Sequence, residues 1–182
     1  MRIVSGAHKG FRFPQRNMPH ARPTTDRAKE ALFNILDQRF YYEGIQVLDL
    51  YSGLGSVALE FCSRGAKQVT AIDFNRKSIA YIKDVADKLA VDNLLIKQSK
   101  VLSYLKNNTE KFDVIFADPP YNATREIQEL IQVLSQGDFL TSDGIFILEH
   151  QTMTQINHDA LVESRNYGQS TFSFFKFVNT HE

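Results

Sequence analysis

The sequence predicts an α/β fold built on a mostly parallel sheet with helices on both faces. Three observations support this prediction. Short segments with few polar residues alternate along the chain with segments whose apolar residues recur at helical spacing. Continuous apolar runs are typical of strands that are buried on both faces of a parallel sheet. The last two apolar segments are separated by too few residues for a crossover helix, so we expect them to form an antiparallel hairpin.

The predicted elements follow one another from residue 25 onwards. We predict seven strands, at residues 47–50, 68–73, 94–96, 112–117, 144–149, 161–167 and 171–178. We predict helices at residues 25–39, 57–63, 76–89, 101–105 and 125–134, and a shorter helix between residues 154 and 161. The result is a Rossmann-like, seven-stranded sheet that is mostly parallel and closes with an antiparallel C-terminal hairpin.

Residues 1–24 are predicted to form a small basic hairpin and arm before the main domain, which covers residues 25–182. Alternation in residues 2–6 and 9–13 predicts two short strands around a glycine turn, and a loop rich in Arg, His and Pro follows. Residues 1–29 carry seven Lys or Arg and one acidic residue, a net charge of +6, so the remaining 153 residues carry −6. This asymmetry predicts either a basic arm that meets phosphates or a solvated surface without a partner.

The composition excludes several classes of protein. The chain has 182 residues, of which 43% are hydrophobic, which suits one folded domain with a core. Its apolar runs are far shorter than the roughly 18 residues needed to span a bilayer. A single cysteine, Cys62, excludes an internal disulfide, and we expect it to be a core thiol and not part of a zinc cluster. We therefore expect a cytoplasmic protein without a membrane or metal partner.

A glycine-containing turn after the first predicted strand indicates a nucleotide cofactor. It reads Tyr51-Ser52-Gly53-Leu54-Gly55, in which Gly53 and Gly55 would let a ligand lie against the backbone. Asp73 ends the second strand about 20 residues later and can accept hydrogen bonds from ribose hydroxyls. The same spacing also satisfies the dinucleotide fingerprint, so NAD is an alternative ligand. Asp49 favours S-adenosylmethionine (SAM), because it could accept from a methionine amino group but would repel a pyrophosphate.

The tetrapeptide Asp118-Pro119-Pro120-Tyr121, which follows the fourth predicted strand, is the candidate catalytic motif. It matches the (Asp/Asn)-Pro-Pro-(Tyr/Phe) motif of methyltransferases that modify amino groups of bases, and the two prolines end the strand and stiffen the turn. An exocyclic amino nitrogen is a poor nucleophile. The carboxylate of Asp118 and the carbonyl of Pro119 could accept from its hydrogens and orient its lone pair, while Tyr121 stacks on a base that has left its helix. Together with the predicted sheet, this motif indicates a class I SAM-dependent methyltransferase fold.

With these motifs the chain resembles the RsmD family of bacterial small-subunit rRNA guanine-N2 methyltransferases, over nearly its whole length. The segment 22–36, RPTTDRAKEALFNIL, is the most specific match. Further matches are the start MRIVSG with Lys9-Gly10, and the segments VLDL at 47–50, SRGA at 63–66, Phe112-Asp113, the motif at 118–121 and LEH at 148–150.

The resemblance implies transfer of a methyl group from SAM to N2 of a guanine in 16S rRNA, within the 30S subunit or an assembly intermediate, by a protein that we expect to be monomeric. The implied cofactor residues are Asp49, Tyr51, Ser52, Gly53, Gly55, Asp73, Phe74, Ser99, Lys100 and Asp118. The implied RNA contacts are Arg22, Thr24, Arg27, Lys9 and Arg12. The pair Ser99-Lys100 departs from the family, which usually offers an acidic residue to the adenine amino group there.

The identity of the base leaves alternatives open. Guanine presents N1–H and N2–H2, which are all donors, so the acceptor-only carboxylate of Asp118 suits guanine. Asp also occurs in adenine enzymes, so an adenine-N6 methyltransferase of DNA or RNA is an alternative. A non-catalytic module that binds SAM or RNA during ribosome assembly is another.

Overall fold

The computed structural model describes residues 1–15, 25–120 and 123–177. Within these residues five helices and seven strands follow one another along the chain. The helices are α1 (Asp26–Leu36), α2 (Ser56–Ser63), α3 (Arg76–Leu89), α4 (Val101–Lys106) and α5 (Thr124–Gln136). The strands are β1 (Gln46–Leu50), β2 (Gln68–Asp73), β3 (Leu94–Gln98), β4 (Phe112–Ala117), β5 (Leu140–Gln151), β6 (Leu161–Tyr167) and β7 (Ser170–Phe175).

All of the described strands belong to one seven-stranded sheet with the order β3-β2-β1-β4-β5-β7-β6. Strands β1 to β5 are parallel to one another, and β7 pairs antiparallel with both β5 and β6. The direction in which successive strands are added changes between β1 and β4. In open α/β sheets this switch point is where ligands bind. The predicted fold class, including the closing antiparallel hairpin, is confirmed.

Alternating side chains on the central strands divide the core into two layers. Val114 and Phe116 belong to the layer that contains the apolar faces of α1 and α2, whereas Ile115 and Ala117 belong to the layer that contains those of α4 and α5. The same alternation on β1 directs Asp49 toward the α2 layer, between two leucines that face the other way. Cys62 is buried in the α2 layer, as predicted.

The N-terminal segment, residues 1–15, is fixed against α2 by hydrogen bonds. The carboxylate of Glu60 accepts from the amides of Val4 (2.8 Å) and Ser5 (3.0 Å), and the Ser63 hydroxyl donates to the Ser5 carbonyl (2.6 Å). Gly6 has φ +83°, and a Cβ atom there would lie 1.8 Å from the Ser63 carbonyl oxygen. The close approach therefore requires glycine at position 6.

A buried ion pair joins α1 to α2 and to the N-terminal segment. Lys29 and Glu60 are both 0% exposed, with 3.3 Å between Nζ and Oε2. The ammonium of Lys29 also donates to the Arg2 carbonyl (2.5 Å) and to the Ser56 hydroxyl (3.1 Å), so each of its three protons has an acceptor. Two charges can be buried at tolerable cost only when they are paired and hydrogen-bonded in this way.

The basic arm predicted from the charge count therefore needs a correction. Lys29 was included among its seven cations, but it is an interior group neutralised by Glu60. Arg2 is half-exposed and pairs with Glu30 at 3.0 Å. Local sequence could not show that these two cations are paired, because the carboxylates that pair with them lie on other elements.

Several element boundaries also differ from the prediction. No helix forms in the described residues 152–160, where turns are closed by bonds such as Thr154 N to Gln151 O (2.9 Å) and Ala160 N to the His158 ring (3.1 Å). The His158 side chain thus bonds to nearby backbone in place of a helical hydrogen bond. The predicted N-terminal strands reduce to one antiparallel bridge between Arg2 and Arg12. Helix α1 ends at Leu36 and not at residue 39, and β5 extends the predicted strand 144–149 at both ends.

Candidate active site

The loops that follow β1 and β4 lie together at the carboxyl edge of the sheet. In the parallel register, Leu50 of β1 is opposite Ile72 of β2 and Ala117 of β4. The ladder continues beyond the strands, since the amide of Ser52 donates to the Ile72 carbonyl (3.0 Å) and that of Asp118 to the Leu50 carbonyl (3.4 Å). The glycine turn and the start of the candidate catalytic motif therefore share one edge.

The glycine turn adopts a backbone that suits close contact with a ligand. Tyr51, Gly53 and Gly55 all have positive φ, at 60°, 53° and 72°. The amide of Gly53 donates to Oδ2 of Asp73 (2.8 Å), and the amide of Gly55 donates to the carbonyl of Ser52 (2.7 Å). The Ser52 hydroxyl is buried and donates to the carbonyls of Asp49 in β1 (2.7 Å) and Ile72 in β2 (3.2 Å), so this side chain ties the turn to the sheet.

Asp49 is an interior carboxyl group behind this turn. Only 1% of its surface is exposed, and Oδ2 accepts a hydrogen bond from the amide of Ala58 in α2 (3.1 Å). Burial raises the pKa of Asp49 to about 8, against the opposite effect of the Ala58 amide. At neutral pH the carboxyl group is therefore mostly protonated. A positive charge nearby would stabilise its ionised form and lower its pKa.

The loop after β2 supplies a second carboxylate and an exposed ring. Asp73 accepts from the amides of Gly53 (2.8 Å) and Asn75 (2.7 Å). Its pKa is raised overall, because the effect of burial exceeds the opposite effect of these two hydrogen bonds. Phe74, the next residue, is 64% exposed, which is unusual for so large an apolar side chain. An exposed ring beside a nucleotide site can cover a base. The side-chain amide of Gln98 donates to the carbonyl of Phe74 (3.2 Å), a contact that the sequence did not predict.

The pair Ser99-Lys100 lies beside this loop. The Ser99 amide donates to the carbonyl of Asp73 (3.0 Å), which places it at the same edge. Its hydroxyl donates to the carbonyl of Lys100 (3.0 Å), which leaves the oxygen lone pairs able to accept from an amino group. Lys100 is exposed.

The candidate catalytic motif is described as far as residue 120. Asp118 is partly exposed, Pro119 is buried and Pro120 is exposed. The amide of Ala123 donates to the carbonyl of Pro120 (2.9 Å), which links the motif to the start of α5. Tyr121 lies outside the described residues.

Tyr51 connects the glycine turn to helix α5 through a contact that sequence analysis missed. Its hydroxyl donates to Oε1 of Glu126 in the first turn of α5 (2.8 Å). Burial, followed by this hydrogen bond, raises the pKa of Tyr51 above its usual range, so the hydroxyl stays a donor. An acidic residue in the first turn of a helix is common, and nothing in the sequence marked Glu126 as a partner of the glycine turn.

Of the predicted RNA contacts, Lys9, Arg12 and Arg27 have exposed side chains. Arg22 and Thr24 lie outside the described residues. In the described part of the chain, no group of three or more His, Cys, Asp or Glu could hold a metal ion, and no helix is long and apolar enough to cross a membrane.

The sheet order, the antiparallel hairpin and the shared edge define a class I methyltransferase fold. The family described as Conserved hypothetical protein 95 matches residues 1–176. Ribosomal RNA small subunit methyltransferase D of Escherichia coli (strain K12) is 32% identical over 83% of this chain and 75% of its own length. The protein of that name from Buchnera aphidicola subsp. Baizongia pistaciae is 28% identical over 98% of this chain and 93% of its own length. The chain belongs to this family, the RsmD family, which confirms the resemblance and the prediction of a SAM-dependent methyltransferase over that of an NAD-binding protein.

Solved structures show the same fold at greater sequence distance. A hypothetical protein of Thermus thermophilus superposes with a TM-score of 0.85 at 24% identity, covering 97% of this chain and 99% of the other. An RNA methyltransferase from Salinibacter ruber in complex with S-adenosyl-L-homocysteine has a TM-score of 0.69 at 14% identity, covering 88% and 96%. At these identities the likeness is one of fold.

Proposed function

We propose that this chain transfers a methyl group from SAM to the N2 amino group of a guanine in small-subunit rRNA. The observation that carries the proposal is the shared edge, where the glycine turn and Asp118 are joined through hydrogen bonds to β1 and β2. Family membership supports the rRNA substrate, because the relatives from Escherichia coli and Buchnera are rRNA small subunit methyltransferases. The Salinibacter enzyme, with S-adenosyl-L-homocysteine on the same fold, supports the cofactor.

The residues at the edge suit the proposed cofactor. The amino group of a methionine moiety would be positive, and Asp49 provides a carboxyl group behind Gly53 and Gly55. Asp73 would accept from the ribose, and Phe74 would cover the adenine. The Ser99 oxygen would accept from the adenine amino group, with Lys100 beside it. Tyr51 and Ser52 would hold the shape of the turn.

SAM, when bound, supplies an electrophilic methyl group on a sulfonium. The carboxylate of Asp118 and the carbonyl of Pro119 would accept from the hydrogens of guanine and direct the nitrogen lone pair toward that methyl. The chain would hold the two reactants in line for transfer of the methyl group from sulfur to nitrogen, and Asp118 need not be the final base, because the methylated nitrogen is acidic enough to lose its proton to water. Pro120 stiffens the turn, and Tyr121 would stack on the base, a contact worth roughly 1–3 kcal/mol. The main contribution of the chain is to align two bound reactants.

The basic residues of the N-terminal part would hold the RNA. Lys9, Arg12 and Arg27 are exposed and can contact phosphates, and we include Arg22 and Thr24 in the same role. We propose that the substrate is the 30S subunit or an assembly intermediate, and that the protein acts as a monomer in the cytoplasm. We also propose that residues 1–24 act as a separate RNA-binding extension of the domain 25–182.

The variant Asp118→Ala tests the catalytic assignment. We expect methyl transfer to fall by at least about 100-fold, because one of two acceptors on the amino group is lost, while SAM binding by calorimetry changes little. The substrate is small subunits from a strain that lacks this gene. Asp143→Ala is the control, since Asp143 is an exposed carboxylate at the amino end of the parallel part of β5. Unchanged turnover in Asp118→Ala would refute the assignment.

Mass spectrometry of nucleosides from the same reactions decides the product. N2-methylguanosine supports the proposal. N6-methyladenosine would favour the adenine alternative. Absence of any product with wild-type protein, despite tight SAM binding, would favour a non-catalytic assembly module.

A further inference from the structure

A groove beside the candidate active site is not used by the mechanism above. It has a volume of about 430 Å³ and lies between α5 and the loop of residues 154–158. This volume falls within the range of roughly 300–1,000 Å³ that is typical of ligand sites. On α5 it is lined by one face of the helix, from Thr124 to Gln136, a length of about 18 Å.

The groove begins at the catalytic edge. Thr124 follows Ala123, whose amide is bonded to the carbonyl of Pro120 in the candidate catalytic motif. The other wall begins at Thr154, shortly after β5 ends, and β5 is the parallel neighbour of β4, with Ala117 opposite Leu148. Both walls therefore extend from the edge at which a target base would meet Asp118.

The lining has the chemistry of a site for a nucleobase. Ile127 and Ile131 are almost fully buried and form an apolar floor together with the partly buried Ile156. Exposed amide side chains surround this floor, among them Gln128 and Gln132, and each amide carries both donors and an acceptor. Unstacked bases are recognised in this way, by an apolar contact on the ring face and hydrogen bonds on the edge.

The described residues of the groove offer no Lys or Arg that could bind a phosphate as the main ligand. Of the twelve described residues that line it, none is Asp, Glu, Lys or Arg. Arg125 is exposed and adjoins the lining residue Thr124, so a phosphate has a partner outside the groove. A base can therefore enter the groove while the sugar-phosphate backbone of the RNA stays at the protein surface.

The loop wall is held in place and carries an exposed apolar side chain. The amide of Thr152 donates to the carbonyl of Gln169 in the β6–β7 turn (3.0 Å), and the ring of His158 packs edge-on against Phe177 at 5.9 Å. Met153, immediately before the lining residues, is 93% exposed. A side chain of this kind can contact a base as it leaves the stack.

We infer that this groove binds an unpaired base adjacent to the target guanine in the same RNA. The inference rests on the proposed function, since it needs a target nucleotide at Asp118. Once that nucleotide is bound, its neighbours are tethered close to the groove at high effective concentration, which a separate peptide or protein segment would lack. The groove thus selects the sequence or the unpaired state of the RNA beside the modified position.

The double variant Gln128→Ala/Gln132→Ala tests the inference, because both side chains are exposed and their loss leaves the apolar floor intact. We expect KM for small subunits to rise about tenfold, equivalent to about 1.4 kcal/mol, while kcat and SAM affinity stay within about twofold. Gln38→Ala is the matched control, an exposed glutamine in the connection that leads to the amino end of β1. An unchanged KM in the double variant would overturn the inference.

Crosslinking identifies the occupant. The native cysteine, Cys62, is buried, so Gln132→Cys and the control Gln38→Cys can be labelled with a benzophenone maleimide. With unmodified small subunits, we expect the label at 132 to crosslink to rRNA within a few nucleotides of the methylated guanine. Crosslinks to a ribosomal protein alone, to distant rRNA, or to nothing would overturn the inference. Wild-type protein that makes no N2-methylguanosine would overturn the proposed function and this inference together, whereas a normal product with an unchanged KM would overturn this inference alone.

Discussion

At Asp49 and Lys29, two ordinary charged residues acquire chemistry that depends on where the fold places them. Asp49 is interior because β1 alternates between two core layers, and burial raises its pKa to about 8. Lys29 is equally interior, but a carboxylate and two further acceptors surround its ammonium. Burial disfavours a charge that has no counterion. Lys29 already has its counterion in Glu60, whereas the carboxylate of Asp49 would be stabilised by a cation that binds beside it. In our proposal the bound cofactor supplies the positive charge that favours the carboxylate form of Asp49.

Proton release on SAM binding tests this role of Asp49. The free protein holds the proton of Asp49 at pH 6.5, below its pKa of about 8. A bound ammonium favours the carboxylate and lowers that pKa, so binding releases up to one proton, and affinity rises with pH toward 8. Calorimetry in buffers of different ionisation enthalpy measures this release.

Asp49→Asn is the control for that measurement, since an amide has no proton to release. We expect weaker binding and no release from this side chain. Equal proton release by wild type and Asp49→Asn would show that the ammonium does not reach Asp49.

At the scale of elements, α2 connects the candidate cofactor site with the N-terminal segment. Its first turn follows Gly55, and Ser56 at its start bonds to Lys29. Its last turns carry Glu60 and Ser63, which hold residues 4–8 through amide, carbonyl and hydroxyl contacts. This short helix therefore fixes residues 4–8, in the described part of the proposed RNA extension, relative to the glycine turn.

The pair of variants Gly6→Ala and Gly10→Ala tests this docking. Both glycines have positive φ, at +83° and +88°, so both changes carry the left-handed cost of roughly 1–2 kcal/mol. Only at Gly6 would the new Cβ atom meet backbone, 1.8 Å from the Ser63 carbonyl oxygen, whereas nothing lies within 4 Å at Gly10. We expect Gly6→Ala to lower the free energy of unfolding by a further 1–3 kcal/mol or so, measured in urea. Equal losses would mean that the segment is not held as described.

At the scale of the whole molecule, charge is distributed unevenly along a chain with no net charge. Residues 1–29 carry +6 and the rest −6, and the interior position of Lys29 reduces the surface excess of the first part. The exposed Lys9, Arg12 and Arg27 remain available to phosphates. We therefore expect RNA to bind at the surface that carries these three cations, because the net negative charge of the remaining residues repels its phosphates.

The salt dependence of RNA binding tests this distribution. We expect the logarithm of the binding constant to fall linearly with the logarithm of salt concentration. Arg12→Ala/Arg27→Ala should make this slope shallower by about one unit for each lost contact. Lys106→Ala, at the exposed end of α4, is the control and should leave the slope unchanged. An identical slope in wild type and the double variant would remove these arginines from the interface.

Periodicity and turn residues, which are local properties of the chain, determined most of the fold. The bounds of α3, β2 and β4 match the prediction residue for residue, because each combines a clear apolar pattern with end signals such as the cap at Asn75. The motif Asp118-Pro119-Pro120 and the glycine turn were likewise evident from residue types. The helix predicted at residues 154–161 failed because a few apolar residues cannot outweigh side chains that bond to their own backbone.

The tertiary structure alone decided which charged groups are interior and which surfaces adjoin the catalytic edge. Lys29 bonds to Ser56, Tyr51 to Glu126 and Asp73 to Gly53 across sequence separations of 27, 75 and 20 residues. No local pattern encodes such contacts, since they arise from the order in which strands join the sheet. The groove along α5 is of the same kind, because its two walls become neighbours only when β5 pairs with β4.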